Sequence, residues 1–121
     1  MSVLVWAGVA LLGGLGAVAR FAIHARVVRS HPLEFPLATF IVNITGSLTL
    51  GLLIGSGAGH DLRLLAGTGL LGAFTTFSTW MFETERMIDD GGAAAAVRGV
   101  VTSLVCGFAA VALGVWLGGS F

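Results

Sequence analysis

The sequence predicts an all-α membrane protein with four transmembrane helices, and two properties of the chain carry this prediction. Of its 121 residues, 56% are hydrophobic and 10% are charged, whereas an ordinary soluble domain is about 25% charged. The apolar residues also fall into four runs, each close to the roughly 20 residues that span a bilayer. We therefore expect a multi-pass protein of the cell (inner or plasma) membrane, with lipid as its solvent.

The four runs form one domain over residues 1–121, with short connections between them. The predicted helices cover about 3–25, 36–57, 62–88 and 93–118. Pro36 suits the first turn of the second helix, and the polar residues 26–34 predict a loop before it. The first run has no basic side chain before Arg20, so we expect a retained helix and not a cleaved leader.

The centre of the third run is the strongest local signal. Thr75, Thr76, Ser78 and Thr79 place four hydroxyl groups there, and Gly72 precedes them. Such hydroxyls often bond to carbonyls of the preceding turn, and composition alone favours that reading as much as any other. Glycine followed by β-branched threonine is, however, poor helix sequence, so the helix could unwind here. The freed carbonyls of a broken membrane helix can hold a cation.

Three further polar side chains lie within or near the ends of the runs. Asn43 is one third of the way along the second run, where an amide must be satisfied by hydrogen bonds. It either bonds to a neighbouring helix or donates into a pore, and its NH2 group suits an anion. Arg20 and Glu83 either extend to the lipid headgroups or serve a solute path.

Glycine pairs spaced four residues apart indicate close helix contacts, which in membranes depend on small residues. Gly51 pairs in this way with Gly55, and Gly114 with Gly118. The contacts either pack helices within the chain or join subunits. Four helices of this length enclose little space for a solute path, which favours an oligomer.

Three segments, which follow one another along the chain on the first three predicted helices, resemble the CrcB/Fluc family of fluoride channels. They are residues 13–20 (GGLGAVAR), residues 39–43 (TFIVN) with Gly46-Ser47, and residues 72–83. The resemblance covers essentially the whole chain. It implies a passive fluoride-selective channel that exports fluoride from the cytoplasm and protects against fluoride toxicity. It also implies an antiparallel, dual-topology dimer whose third helix is broken at mid-membrane.

The resemblance assigns roles to individual residues. Asn43 would reach into the pore, and Phe77 would present its positive ring edge to fluoride. Trp80 occupies the second aromatic position, where the family usually has phenylalanine. The backbone carbonyls of Gly72 and Thr75 would hold one structural Na+ at the dimer interface, and Gly72 would permit the break because glycine reaches conformations that a Cβ forbids. The other pore candidates are Arg20, Thr39, Ser78, Thr79, Glu83 and Ser103.

Other function classes stay open on the sequence. A small dual-topology exporter of drugs or cations also has four helices, but its proton exchange needs a carboxylate in the first helix, and none precedes Arg20. A third possibility is a subunit that packs by its glycines and transports nothing. It would not explain the cluster of hydroxyl and aromatic side chains at the centre of the third run. An enzyme is not expected, because no histidine, cysteine and acid are grouped as a nucleophile set. Nucleic acid is not an expected partner, since six basic and six acidic groups cancel.

The arginines bear on the choice of partner subunit. Four of them follow the first run or flank the third loop, namely Arg26, Arg29, Arg86 and Arg98, whereas the opposite side has Arg63. The positive-inside rule then favours both termini outside. A homodimer that inserts in both orientations should show almost no such bias. The alternative to a homodimer is therefore one subunit of a heterodimer with a paralogous chain.

Overall fold

A computed structural model describes residues 2–30 and 37–120 of the chain, apart from the side chains of Ser30 and Ser78. Pro36 and residues 31–34 of the predicted first loop lie outside these residues. All regular elements of the described residues are helical, as the sequence predicts. They are α1 (Val3–Ser30), α2 (Leu37–Gly55), α3 (the consecutive stretches His60–Leu62, Arg63–Leu71 and Gly72–Phe74), α4 (Ser78–Asp89) and α5 (Ala93–Gly118).

Three of these helices, α1, α2 and α5, are long and apolar enough to cross a membrane. The third apolar run is divided between α3 and α4. Helix α3 ends at Phe74 and α4 begins at Ser78, and the backbone of Thr75 is extended, with φ −78° and ψ 159°. The stretch Arg63–Leu71 of α3 is a π-helix, a rare wide form found mainly near functional sites. The helix is therefore interrupted within the hydroxyl cluster.

Helix α1 continues to Ser30, beyond the predicted end near residue 25. Residues 25–30 contain neither glycine nor proline, so nothing in the backbone stops the helix there. Arg26 and Arg29 therefore belong to the helix and not to a loop. Polarity suggested the earlier end, yet long arginine side chains can reach water from a helix that continues past the hydrocarbon.

Helices α2 and α5 pack backbone against backbone along their glycines. A methyl group added at Gly51, Gly55, Gly114 or Gly118 would collide with backbone atoms of the other helix. Both glycine pairs therefore meet each other within one chain. Of the two interpretations of these pairs, the structure shows packing inside the chain. The glycine face of α2 is covered by α5, and that of α5 by α2.

Helix α1 makes a second close contact, with α3. A Cβ at Gly69 would lie 3.1 Å from the carbonyl oxygen of Val9, and one at Gly16 would meet the carbonyl of Leu70. On α2, Gly46 leaves room for the methyl group of Thr75. The chain thus brings α1 and α2 against the end of α3 and fixes the position of the helix break.

Candidate functional site

The side chain of Asn43 on α2 holds the helix break. Its Nδ2 donates to the carbonyl oxygen of Thr76 at 2.8 Å, and the backbone N–H of Thr76 donates to its Oδ1 at 2.8 Å. One amide therefore satisfies both backbone groups of Thr76, which a continuous helix would have paired internally. Nδ2 carries a second hydrogen, for which the described residues provide no acceptor. Asn43 thus makes the helix–helix bond and keeps one free donor.

Thr76 also begins the helix that follows. Its Oγ1 accepts a hydrogen bond from the N–H of Thr79 at 3.2 Å, as capping hydroxyls do at helix starts. In a continuous α-helix the N–H groups of Thr76 and Thr79 would bond to the carbonyls four residues earlier, which belong to Gly72 and Thr75. Both N–H groups bond to side chains instead, and no other described N–H group takes up those two carbonyls.

A cavity of about 400 Å³ opens on one side of the break. Residues of α2, α3, α4 and α5 line it. Phe77 is 69% exposed, and its ring lies edge-to-face with that of Trp80, with the centroids 5.9 Å apart and the planes at 84°. The predicted site residues in its lining are Asn43, Gly72, Thr75, Phe77, Trp80 and Ser103.

A second cavity, of about 270 Å³, lies between α1, α2 and the start of α4. Arg20, Thr39 and Thr79 line it, and so does His24. No ion pair joins Arg20 to a carboxylate of the residues described. The buried Thr39 donates its hydroxyl hydrogen to Oε1 of Glu83. This cavity therefore combines an unpaired cation with hydroxyl groups.

Thr76 contributes to the lining of both cavities. The break, held by Asn43, therefore stands between them. The predicted site residues divide accordingly: six line the first cavity, three line the second, and Glu83 adjoins the second through Thr39. The side chain of Ser78 lies outside the description. The predicted site residues thus lie on both sides of the break.

Several lining residues are absent from the predicted site residues, and two polar ones among them fit a helical spacing that the sequence shows. Ser47 lies in the first cavity and His24 in the second. Each follows a predicted site residue by four positions, Asn43 and Arg20 respectively, so each shares its helix face. Helical spacing could therefore have found both.

The expected role of Gly72 in shaping the backbone is wrong. Its backbone is an ordinary right-handed helix, with φ −60° and ψ −37°, so the conformational freedom of glycine is not used. An added Cβ would come no closer than 3.5 Å to the carbonyl oxygen of Gly67. The helix instead breaks after Phe74, because Asn43 and the Thr76 hydroxyl take the N–H groups that would continue it.

Known proteins match almost the whole chain. The sequence profile described as CrcB-like protein, Camphor Resistance (CrcB), matches residues 7–115. The Fluoride-specific ion channel FluC 2 of Mycobacterium bovis is 47% identical over 97% of this chain and 93% of its own length. FluC 1 of Leifsonia xyli subsp. xyli is 41% identical over 98% of this chain and 90% of its own. FluC 2 of Bacillus thuringiensis subsp. konkukian is 40% identical over 92% of this chain and 94% of its own length.

The matched residues include the glycine-rich segment 13–20, Asn43, the helix break and most of α5. The family resemblance that the motifs indicate is therefore confirmed over the full extent of the described site. The chain is a multi-pass membrane protein, and it belongs to the CrcB family.

Proposed function

We propose that this chain forms a passive, fluoride-selective ion channel that exports fluoride from the cytoplasm and protects the cell against fluoride toxicity. Relatives named Fluoride-specific ion channel match nearly its whole length. In the chain itself, one observation carries the proposal: a helix break held by Asn43 stands between two cavities that offer hydrogen-bond donors and a cation. The four-helix exporter of drugs or cations is not favoured.

Fluoride is a small, strongly hydrated anion, so a pathway must replace its water with donors. In the first cavity these are the free N–H of Asn43, the hydroxyl of Ser103 and the ring edge of Phe77, the positive part of the aromatic quadrupole. In the second, the unpaired Arg20 attracts anions, and Thr39 and Thr79 contribute hydroxyl groups. Several weak sites in series allow an ion to leave as well as enter.

The functional unit in this proposal is an antiparallel, dual-topology dimer in which α3 and α4 together make the fourth crossing, with the break at mid-membrane. The first cavity of a single chain is open, and Phe77 on its wall is mostly exposed. A second copy would cover this face and complete two pathways. The arginine bias supports a second candidate, a heterodimer with a paralogous subunit, because Arg26 and Arg29, in the last turns of α1, are two of the four arginines on the more basic side.

The backbone at the break fits a structural Na+ at the dimer interface. The carbonyls of Gly72 and Thr75 lack their helical donors, and carbonyl oxygens are hard ligands suited to an alkali cation. Two chains crossing at their breaks would supply four of them. When bound, the ion supplies a fixed positive charge that lowers the cost of a buried anion.

The test is efflux from liposomes that contain the purified chain and no other protein. We expect fluoride to leave far faster than chloride, without a proton gradient. Equal fluoride and chloride efflux, or efflux that requires a proton gradient, would contradict the channel. Fluoride efflux that appears only after a paralogous chain is added would replace the homodimer by the heterodimer.

A further inference from the structure

The chain has three tryptophans, and one of them differs in its surroundings. Trp6 and Trp116 are 62% and 70% exposed on the outside of the helices. Trp80 is half-buried and lines the first cavity beside Asn43 and Ser103. Of the three indoles, only that of Trp80 is therefore placed to meet an ion in this cavity.

The Trp80 ring packs against one neighbouring ring. Phe77 lies edge-to-face with it, at 84°. The hydroxyl of Thr84 donates to the Trp80 backbone carbonyl at 2.8 Å, a contact of the backbone that carries the ring. A packed ring has fewer orientations, which lowers the entropy lost when its donor binds a ligand.

The indole N–H of Trp80 has no acceptor among the described residues. Every buried side-chain nitrogen or oxygen in the described part of the chain has a partner, so the unpaired Nε1 must be accessible. Indole nitrogen is a donor only, and a half-buried tryptophan usually finds an acceptor for it. The accessible N–H belongs to a residue that lines the first cavity, as Asn43 does.

We infer that Nε1–H of Trp80 donates a hydrogen bond to fluoride in the first cavity, an inference that rests on the proposed channel function. Hydrogen bonds to an ionised acceptor are about twice as strong as neutral ones, and fluoride gains most because its charge is concentrated on the smallest halide. The proton stays on the nitrogen, since indole is a far weaker acid than hydrogen fluoride. Trp80 thus contributes to selectivity through its N–H group and not only through a ring edge.

The direct test is nuclear magnetic resonance of the full-length protein, reconstituted and ¹⁵N-labelled at tryptophan. Trp80→Phe assigns the Trp80 indole signal by its disappearance. Fluoride should move that indole proton downfield in a saturable way, whereas equal chloride should not. Trp6 and Trp116 serve as internal controls and should stay in place. A Trp80 signal that moves no more than theirs, or that responds equally to chloride, would overturn the inference.

A flux measurement separates this inference from the channel proposal. Trp80→Phe keeps an aromatic edge and loses the N–H. Benzothienylalanine at position 80 keeps the bicyclic shape and also loses it. Both variants should need about tenfold more fluoride for half-maximal flux, the value of one charge-assisted hydrogen bond. Normal fluoride flux and affinity in the benzothienyl variant would overturn the role of Trp80 but leave the channel intact. A wild-type protein without selective fluoride flux would overturn the channel itself.

Discussion

The α2–α5 contact and the break between α3 and α4 satisfy the backbone in opposite ways. Along α2 and α5, each helix completes its own hydrogen bonds and glycine brings the two backbones together. At the break, the helix gives up its internal bonds, and side chains of Asn43 and Thr76 replace them. The first region joins two helices through close backbone contact. The second leaves carbonyls and donors without helical partners, so the proposed ion path lies where the helix is incomplete.

The largest effect is expected from filling the α2–α5 contact. A Cβ at Gly114 would lie 2.8 Å from the backbone nitrogen of Leu52 and 2.9 Å from Cα of Gly51, and backbone atoms cannot move aside. Gly114→Val should lower the free energy of unfolding by about 3 kcal/mol. Thermal unfolding in detergent measures this.

Gly107→Val is the matched control for that substitution. Gly107 lies on the same helix, in the lining of the first cavity, and an added Cβ there meets nothing within 4 Å in the single chain. It should leave unfolding unchanged. Equal destabilisation by the two variants would show that the contact between the glycines is not what stabilises the fold.

Asn43→Leu removes the side chain that holds the break between α3 and α4. It fills a similar volume but leaves the N–H and carbonyl of Thr76 without partners, each at a cost of about 1–3 kcal/mol. We expect a lower unfolding temperature together with loss of fluoride flux. Ile41→Leu, on the same helix and outside the lining of both cavities, should keep both. A variant Asn43→Leu with normal flux would show that the amide neither holds the break nor serves the ion.

Phe77→Ile separates ion contact from packing. The ring is 69% exposed in the single chain, so its loss costs the fold of that chain little. Isoleucine keeps apolar bulk without the quadrupole, and flux should fall by about tenfold. Phe82→Ile, on α4 five residues further along the chain, is the control, because Phe82 lies outside the lining of both cavities. Unchanged flux in a verified dimer would reduce Phe77 to a packing role.

Thr75→Ser should have the smallest effect. Serine keeps the hydroxyl that donates to the Leu71 carbonyl at 3.0 Å and leaves the backbone carbonyl in place. It removes one methyl group near Gly46, worth about 1 kcal/mol. Flux at saturating Na+ should match wild type. A loss of flux as large as that of Asn43→Leu would assign the ion contact to this side chain and not to the backbone.

Local pattern predicted the apolar runs and the weakness of the helix around Thr75, because both depend on neighbouring residues. It could not predict what holds the break. The bond between Asn43 and Thr76 joins residues 33 positions apart, and that between Thr39 and Glu83 spans 44. Such pairs exist only after α2 has packed beside α3 and α4. The same limit explains why the break was attributed to Gly72, whose own backbone is helical.

The central claim, passive conduction of fluoride, is tested most directly by the reversal potential of the purified chain in a planar bilayer. With fluoride gradients imposed at equal pH, the reversal potential should move by about 59 mV for each tenfold ratio of fluoride. A chloride gradient at constant fluoride should leave it unchanged. A reversal potential that follows the chloride gradient or the pH difference, or no current at all in a folded dimer, would contradict the account.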